Sequence, residues 1–339
     1  MNAARQSLPI SAAVCTLLAT LFVTRWHLAP YPVEIPPAVT QAAATAQAAI
    51  TPLAQAITDF STTHPWLATA CAVIIVGWTL LAIVQLTVKF SPAASRNYLP
   101  SQIFLAGAGG IVVASEGLAA LTAAWIFALA LRQAVFSFHK GFSFPELFHA
   151  GFWLGLLPLI YAPAAAIVLP VLIFAIGIFR RSGRELIVAL VGLATPVAAA
   201  TLIHHTMGAD WDFVRQELLR CALTPRTADS LANVPRLNWI AATLIASIAA
   251  VGAGWALTHK MSIRKMQYKF AQHTFITLLM VAATAALPGT STMLLAIATV
   301  PCALLVPYAF FGRAAGTSTL LYYLMMVAVC ALALSPVLL

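Results

Sequence analysis

Residues 144–205 read FPELFHAGFWLGLLPLIYAPAAAIVLPVLIFAIGIFRRSGRELIVALVGLATPVAAATLIHH. Three apolar segments are separated there by Tyr161-Ala162-Pro163 and by the charged corner Arg180-Arg181-Ser182-Gly183-Arg184-Glu185. About 18 uncharged apolar residues on each side of such a corner suffice to cross a hydrocarbon core, and the arginines mark the side on which the corner lies. The stretch reads as consecutive membrane helices, and the rest of the chain has the same character.

Hydrophobic residues make up 62% of the 339 and charged residues 8%, with a mean hydropathy of +0.94. A soluble domain carries roughly 25% charged residues, so most of this chain belongs in lipid. The net charge of +9 needs no nucleic acid, because polytopic proteins concentrate Lys and Arg on the cytoplasmic face. Four of the five cysteines, Cys15, Cys71, Cys302 and Cys330, fall in apolar segments, and with Cys221 they show no paired spacing. That pattern describes small hydrophobes rather than a disulfide framework or a metal motif. At the N-terminus an apolar run from Leu8 to Val23 ends in Arg25-Trp26-His27. A cleaved signal ends in small residues, so this run is expected to be an uncleaved first span.

Apolar runs bounded by charge, Pro or Gly lie near 7–24, 66–88, 101–115, 118–136, 145–161, 163–179, 186–205, 237–258, 272–287, 291–311 and 316–335. The expected fold is an all-α polytopic transmembrane helix bundle of about ten or eleven spans in a single integral membrane domain over residues 1–339, with the N-terminus cytoplasmic. The run 101–115 is short and carries Gly107, Gly109 and Gly110, which suits a re-entrant or tilted segment. With the N-terminus inside, Lys89, Arg96, Arg132, Lys140, Arg180, Arg181, Arg184, the Lys260–Lys269 cluster and Arg313 face the cytoplasm. Arg25, Arg215, Arg220, Arg226 and Arg236 lie outside.

Two exoplasmic loops are long. In 26–64, Val39, Ala43, Ala46, Ile50, Leu53, Ile57 and Phe60 recur at helical spacing, with Pro52 expected to break or kink the run. In 206–236, Trp211, Val214, Leu218 and Cys221 share one face of a second amphipathic helix. Both helices are expected to lie on the membrane surface. The basic segment Lys260–Lys269 suits contact with anionic headgroups.

Gly151 and Gly155 form a GxxxG, and Ala106, Gly110 and Ala114 repeat small residues at every fourth position, so both faces permit close helix crossings. Gly107-Ala108-Gly109-Gly110 lacks the Lys-Ser/Thr ending of a phosphate loop. Pro158, Pro163, Pro170, Pro196, Pro301 and Pro307 predict kinks, with helix breaks around 158–170 and 301–307.

Ionisable residues inside spans are few. Arg132 lies close enough to a span end to snorkel, and Glu116 and Glu146 fall at predicted span ends. The polar residues gather on the exoplasmic side instead: His204, His205, Asp210 and Asp212 where the seventh span leaves the membrane, and Glu34 and Asp59 in the first loop. Such imidazoles and carboxylates serve as acids and bases, or as interfacial residues with an N-cap aspartate. Their spacing matches no metal motif, and no cofactor is indicated.

Arg96-Asn97-Tyr98-Leu99-Pro100, Phe148-His149-Ala150-Gly151-Phe152-Trp153-Leu154-Gly155 running on to Tyr161, Phe179-Arg180, Arg184-Glu185 and Gly192-Leu193-Ala194-Thr195-Pro196 occur in that order. Together they resemble an uncharacterised family of multi-pass inner-membrane proteins from Bacteroidota. The resemblance covers roughly residues 75–200, implies the inner (cytoplasmic) membrane, and carries no activity or site residue. A looser likeness is to membrane glycosyltransferases and glycan polymerases that use lipid-linked sugars. By that analogy Asp59 or Glu34 is the base and Arg215 or Arg220 holds a lipid phosphate. The chain departs from it in having no acidic pair soon after the first span, and architecture alone does not establish function.

The leading expectation is therefore a membrane enzyme or assembly factor handling a lipid-linked envelope glycan. Its catalytic candidates are Asp59, Asp210 and Asp212, and its substrate-binding candidates are Arg215, Arg220, His204 and His205. The alternatives are a transporter or flippase without chemistry and a scaffold subunit. The expected partners are membrane lipids, a lipid-linked substrate and other membrane proteins, with no nucleic acid.

Overall fold

The computed structural model describes residues 50–90, 99–111, 117–139, 143–179, 183–224, 236–259, 264–310 and 315–338. The expected first span 7–24, Glu34, Arg96, Glu116, Lys140, Arg180, Arg181, Arg226, Lys260 and Arg313 lie outside these residues. The described residues form twelve α-helices and no strand. In order they are α1 (Pro52–Thr63), α2 (Pro65–Phe90), α3 (Leu99–Ile111), α4 (Gly117–Phe136), α5 (Phe144–Ile160), α6 (Ala165–Phe179), α7 (Gly183–Thr206), α8 (Phe213–Leu223), α9 (Arg236–Thr258), α10 (Lys265–Ala283), α11 (Met293–Ala309) and α12 (Ala315–Leu338). Four of them, α2, α4, α7 and α9, are long and apolar enough to cross a membrane. Helices α5, α6 and α11 are apolar and shorter, at 17, 15 and 17 residues.

Most of the expected spans coincide with helices to within a few residues, two expected breaks are present, and two details differ. The run is broken at Pro52 as expected: Ile50 and Thr51 are not helical, and α1 begins at Pro52, where Thr51 caps the helix with its Oγ1 3.3 Å from Ala54 N and a proline in the first turn has no amide to satisfy. Helix α10 begins at Lys265, so half of the expected basic surface segment is its first turn. Within the expected break around 158–170 the chain breaks at Tyr161, where a 3-10 turn over Ala162–Ala164 links α5 to α6. No break occurs around 301–307: α11 runs through both Pro301 and Pro307 to Ala309.

Helices α3, α4 and α11 form the interior. Residues 99–107 of α3 are all buried, and only Leu295 and Ala298 of α11 are not fully buried. A helix that is apolar on every side has its neighbours on every side. Helix α11 packs on α3, α4, α9 and α10, and α12 closes against α3 and α9. In lipid the hydrophobic effect does not drive helices together, so close packing must. The most extensive contact is between α5 and α7, and it runs backbone on backbone. A Cβ at Gly151 or Gly155 would collide with the carbonyl oxygens of Ala189 and Leu193, and one at Gly192 with that of Phe148. The GxxxG face is thus used within the chain. Among the described glycines, Gly107 of α3 is also tight, against Thr299.

Helix-borne threonines return their hydroxyls to their own backbone, as Thr79 Oγ1 does to Ile75 O and Thr277 Oγ1 to His273 O (2.7 and 2.8 Å), so they enter an apolar interior with their donors satisfied. At one end of the bundle Tyr308 Oη lies 3.0 Å from both Phe90 O and Gln267 O. One hydroxyl proton serves the two carbonyls in turn and ties the ends of α2, α10 and α11. Phe90 stacks on Phe270 at 5.5 Å and meets Phe136 edge-on at 5.8 Å. Lys89, Arg132, Arg184, Arg264, Lys265 and Lys269 belong to this basic end, with Glu146 and Glu185. At the opposite, acidic end are Asp59, Asp210, Asp212 and Glu217, with Arg215, Arg220 and Arg236. There Thr51 Oγ1 donates to Ile160 O at 2.9 Å, α8 packs on the turn 162–164, and Gly289 N donates to Ala222 O at 3.1 Å. The two loop helices α1 and α8 therefore share an anchor.

Two substitutions separate these contributions. Gly155→Ala forces α5 and α7 apart and costs about 1–3 kcal/mol of stability, while Gly77→Ala, with nothing within 4 Å, is neutral or stabilising; thermal unfolding of both in one detergent reads the difference. Tyr308→Phe removes the shared proton and costs about 1 kcal/mol by the same measurement.

Candidate functional site

The last turn of α7 is closed by Gly208, whose φ of +93° is the left-handed conformation that ends many helices. Gly208 N donates to His205 O and Ala209 N to His204 O, both at 3.0 Å. This reversal folds residues 209–213 back over the helix end. His205 then stacks on Trp211 with ring centroids 3.9 Å apart, and His204 meets Phe213 at 4.9 Å. His205 Nδ1 lies 3.1 Å from Ala209 O. A carbonyl only accepts, so Nδ1 carries the proton and Nε2 of the neutral ring is left as an acceptor.

Asp212 occupies the cap position of α8 but makes no side-chain capping bond. It faces Arg215 instead at 3.8 Å, and both are well exposed. One turn on, Arg220 is held by both carboxylate oxygens of Glu217, with Nε 3.0 Å from Oε2. That bond raises the guanidinium pKa above its ordinary value. Of the expected face, Val214 and Cys221 are buried, Leu218 is half-buried, and Trp211 is exposed and given to His205.

The structure thus brings together His204, His205, Asp210, Asp212 and Arg215, with Arg220 farther along α8 and already paired. Asp59 is exposed on α1, and among the described residues no ion pair or hydrogen bond joins it to this group. What relates the two is the common anchor at residues 160–164. Among the described residues no three His, Cys, Asp or Glu side chains converge as a metal site would require.

The site also has a lipid-facing approach. Ile187, Val191, Ala194, Ala198 and Leu202 are exposed at steps of three and four along α7, and the stripe ends at His205. A ligand with an apolar tail and a polar head would find the tail surface and the head groups in line. The exposed carboxylates and imidazoles can exchange protons with it, and Arg215 offers a planar donor fork.

Two features escaped the sequence reading. Glu185, in the charged corner, is only 8% exposed and accepts from Ser143 Oγ at 3.4 Å. The visible sign was an acid in the first turn of a helix, where the backbone amides favour it. Arg132 does not simply snorkel: its Nε donates to Gln85 Oε1 at 2.6 Å, a contact across 47 residues that local pattern does not reveal. Comparison of the chain with protein-family models, with characterised proteins and with solved structures yields no match.

Proposed function

We propose that this is a multi-pass inner-membrane protein that handles a lipid-linked envelope glycan at the exoplasmic face, as an enzyme or assembly factor. The charge asymmetry supports the orientation: the basic end of the bundle belongs in the cytoplasm, which leaves α1 and α8 outside. The resemblance to the Bacteroidota family supports the inner membrane. The observation that carries the reading is the platform at residues 204–215, where two imidazoles, two carboxylates and a guanidinium close a lipid-facing stripe.

In this reading Arg215, and Arg220 once released from Glu217, hold the phosphate of the lipid link, and His204 and His205 orient the head. Asp59, Asp210 and Asp212 are the acid and base candidates. A transporter or flippase is the second reading, favoured by the fully buried polar side chains Gln102, His273 and Thr277 inside α3 and α10. A scaffold subunit is the third reading; of the small-residue faces that would hold partners, the one at Gly151 and Gly155 packs on α7 within the chain.

The test is turnover of a radiolabelled polyprenyl-diphosphate sugar by the purified protein in proteoliposomes. Replacing Asp59, Asp210 and Asp212 together by Asn lowers the rate about 10²–10⁴-fold if one of them transfers the proton. An unchanged rate removes these acids from the chemistry, and translocation of the same lipid without turnover favours the flippase reading.

A further inference from the structure

At the basic end, α2 and α4 leave an open groove of about 570 Å³ lined by Val84, Gln85, Val88, Lys89, Arg132 and Phe136. Its polar groups are cationic or neutral, and no carboxylate lines it. Lys89 Nζ sits 4.4 Å from the centroid of Phe136, and the Arg132 guanidinium 5.2 Å from the same ring. Gln85 Oε1 fixes the guanidinium from the other side at 2.6 Å. Among the described residues neither Lys89 nor Arg132 has an ion pair. Two cations thus share one aromatic ring with no anion between them, so their repulsion is uncompensated within the groove.

The wall above the cations is apolar and exposed. Ile74, Trp78, Leu81 and Val88 are between 54% and 62% exposed. With Gln85 they recur at steps of four and three on one face of α2. From Ile74 to Lys89 this face measures about 22 Å, more than the roughly 15 Å depth of one leaflet. The groove therefore pairs a headgroup position with a track for an acyl chain.

We infer that the α2–α4 groove is a binding site for an anionic phospholipid of the cytoplasmic leaflet, with the phosphate between Lys89 and Arg132 and an acyl chain along the 74–88 face. Charge complementarity selects the anion, and the apolar track selects a lipid over a soluble phosphate. Basic pockets between membrane helices are suited to such headgroups. The site lies at the opposite end of the bundle from the 204–215 platform and does not depend on it.

The test is lipid retention by native mass spectrometry of the full-length protein, released from micelles doped with equal phosphatidylglycerol and phosphatidylcholine. The wild type retains phosphatidylglycerol with about a 30-fold preference, the combined effect of two cations at the membrane surface. The Lys89→Gln/Arg132→Gln protein loses most of that preference, and the charge-conserving Lys89→Arg/Arg132→Lys protein keeps it, which separates lost charge from lost fold. Equal retention of the two lipids by the wild type, or an undiminished preference in the Gln variant, overturns the proposal. Millimolar glycerol 1-phosphate leaves the preference intact; displacement of the lipid by it would show a soluble phosphate site instead.

Discussion

The crossing of α5 and α7 is the contact on which the organisation of this bundle most depends. Three glycines, Gly151, Gly155 and Gly192, let two backbones meet where any side chain would hold them apart. Because α5 then carries α4 and the 160–164 turn, and α7 carries the 204–208 reversal, the crossing sets the positions of both α1 and α8. Lipid offers no solvent force to assemble such helices. Shape at a few small residues, together with hydroxyls returned to their own helices, has to suffice.

A division of labour between the two ends follows from that arrangement. At the basic end, aromatic rings and a shared tyrosine proton clamp helix termini, and Lys89, Arg132 and Lys269 lie over rings. At the acidic end the helix termini are joined by turns and Asp59, His205, Asp210, Asp212 and Arg215 are exposed, with His204 and Glu217 half-buried. Exposed carboxylates and imidazoles stay hydrated and able to exchange protons. They are placed where an exposed face of α7 ends.

Much of the fold was legible in the sequence because lipid imposes a simple rule: apolar runs of sufficient length become helices. The runs 66–88, 118–136, 186–205 and 237–258 correspond to α2, α4, α7 and α9 almost residue for residue. The GxxxG at Gly151 was legible as a close-packing face, but its partner was not, since Gly192 lies 41 positions away with nothing local to announce it. Pro52 was legible as a break, whereas Pro301 and Pro307 were misread, because a proline's missing amide can be tolerated inside a packed interior. The candidate site was legible as a cluster in sequence from His204 to Arg215. Its geometry was not, because the stacking of His205 on Trp211 depends on the reversal at Gly208.

The central claim is that the two loop helices share the exoplasmic face and the cationic end faces the cytoplasm. Single cysteines at positions 59, 212, 184 and 269, in a protein whose native cysteines are replaced, report this with a membrane-impermeant thiol reagent applied to intact cells. The account predicts labelling at 59 and 212 from outside, and at 184 and 269 only after permeabilisation. Labelling of 59 and 212 on opposite sides, or of 184 and 269 from outside, would contradict it.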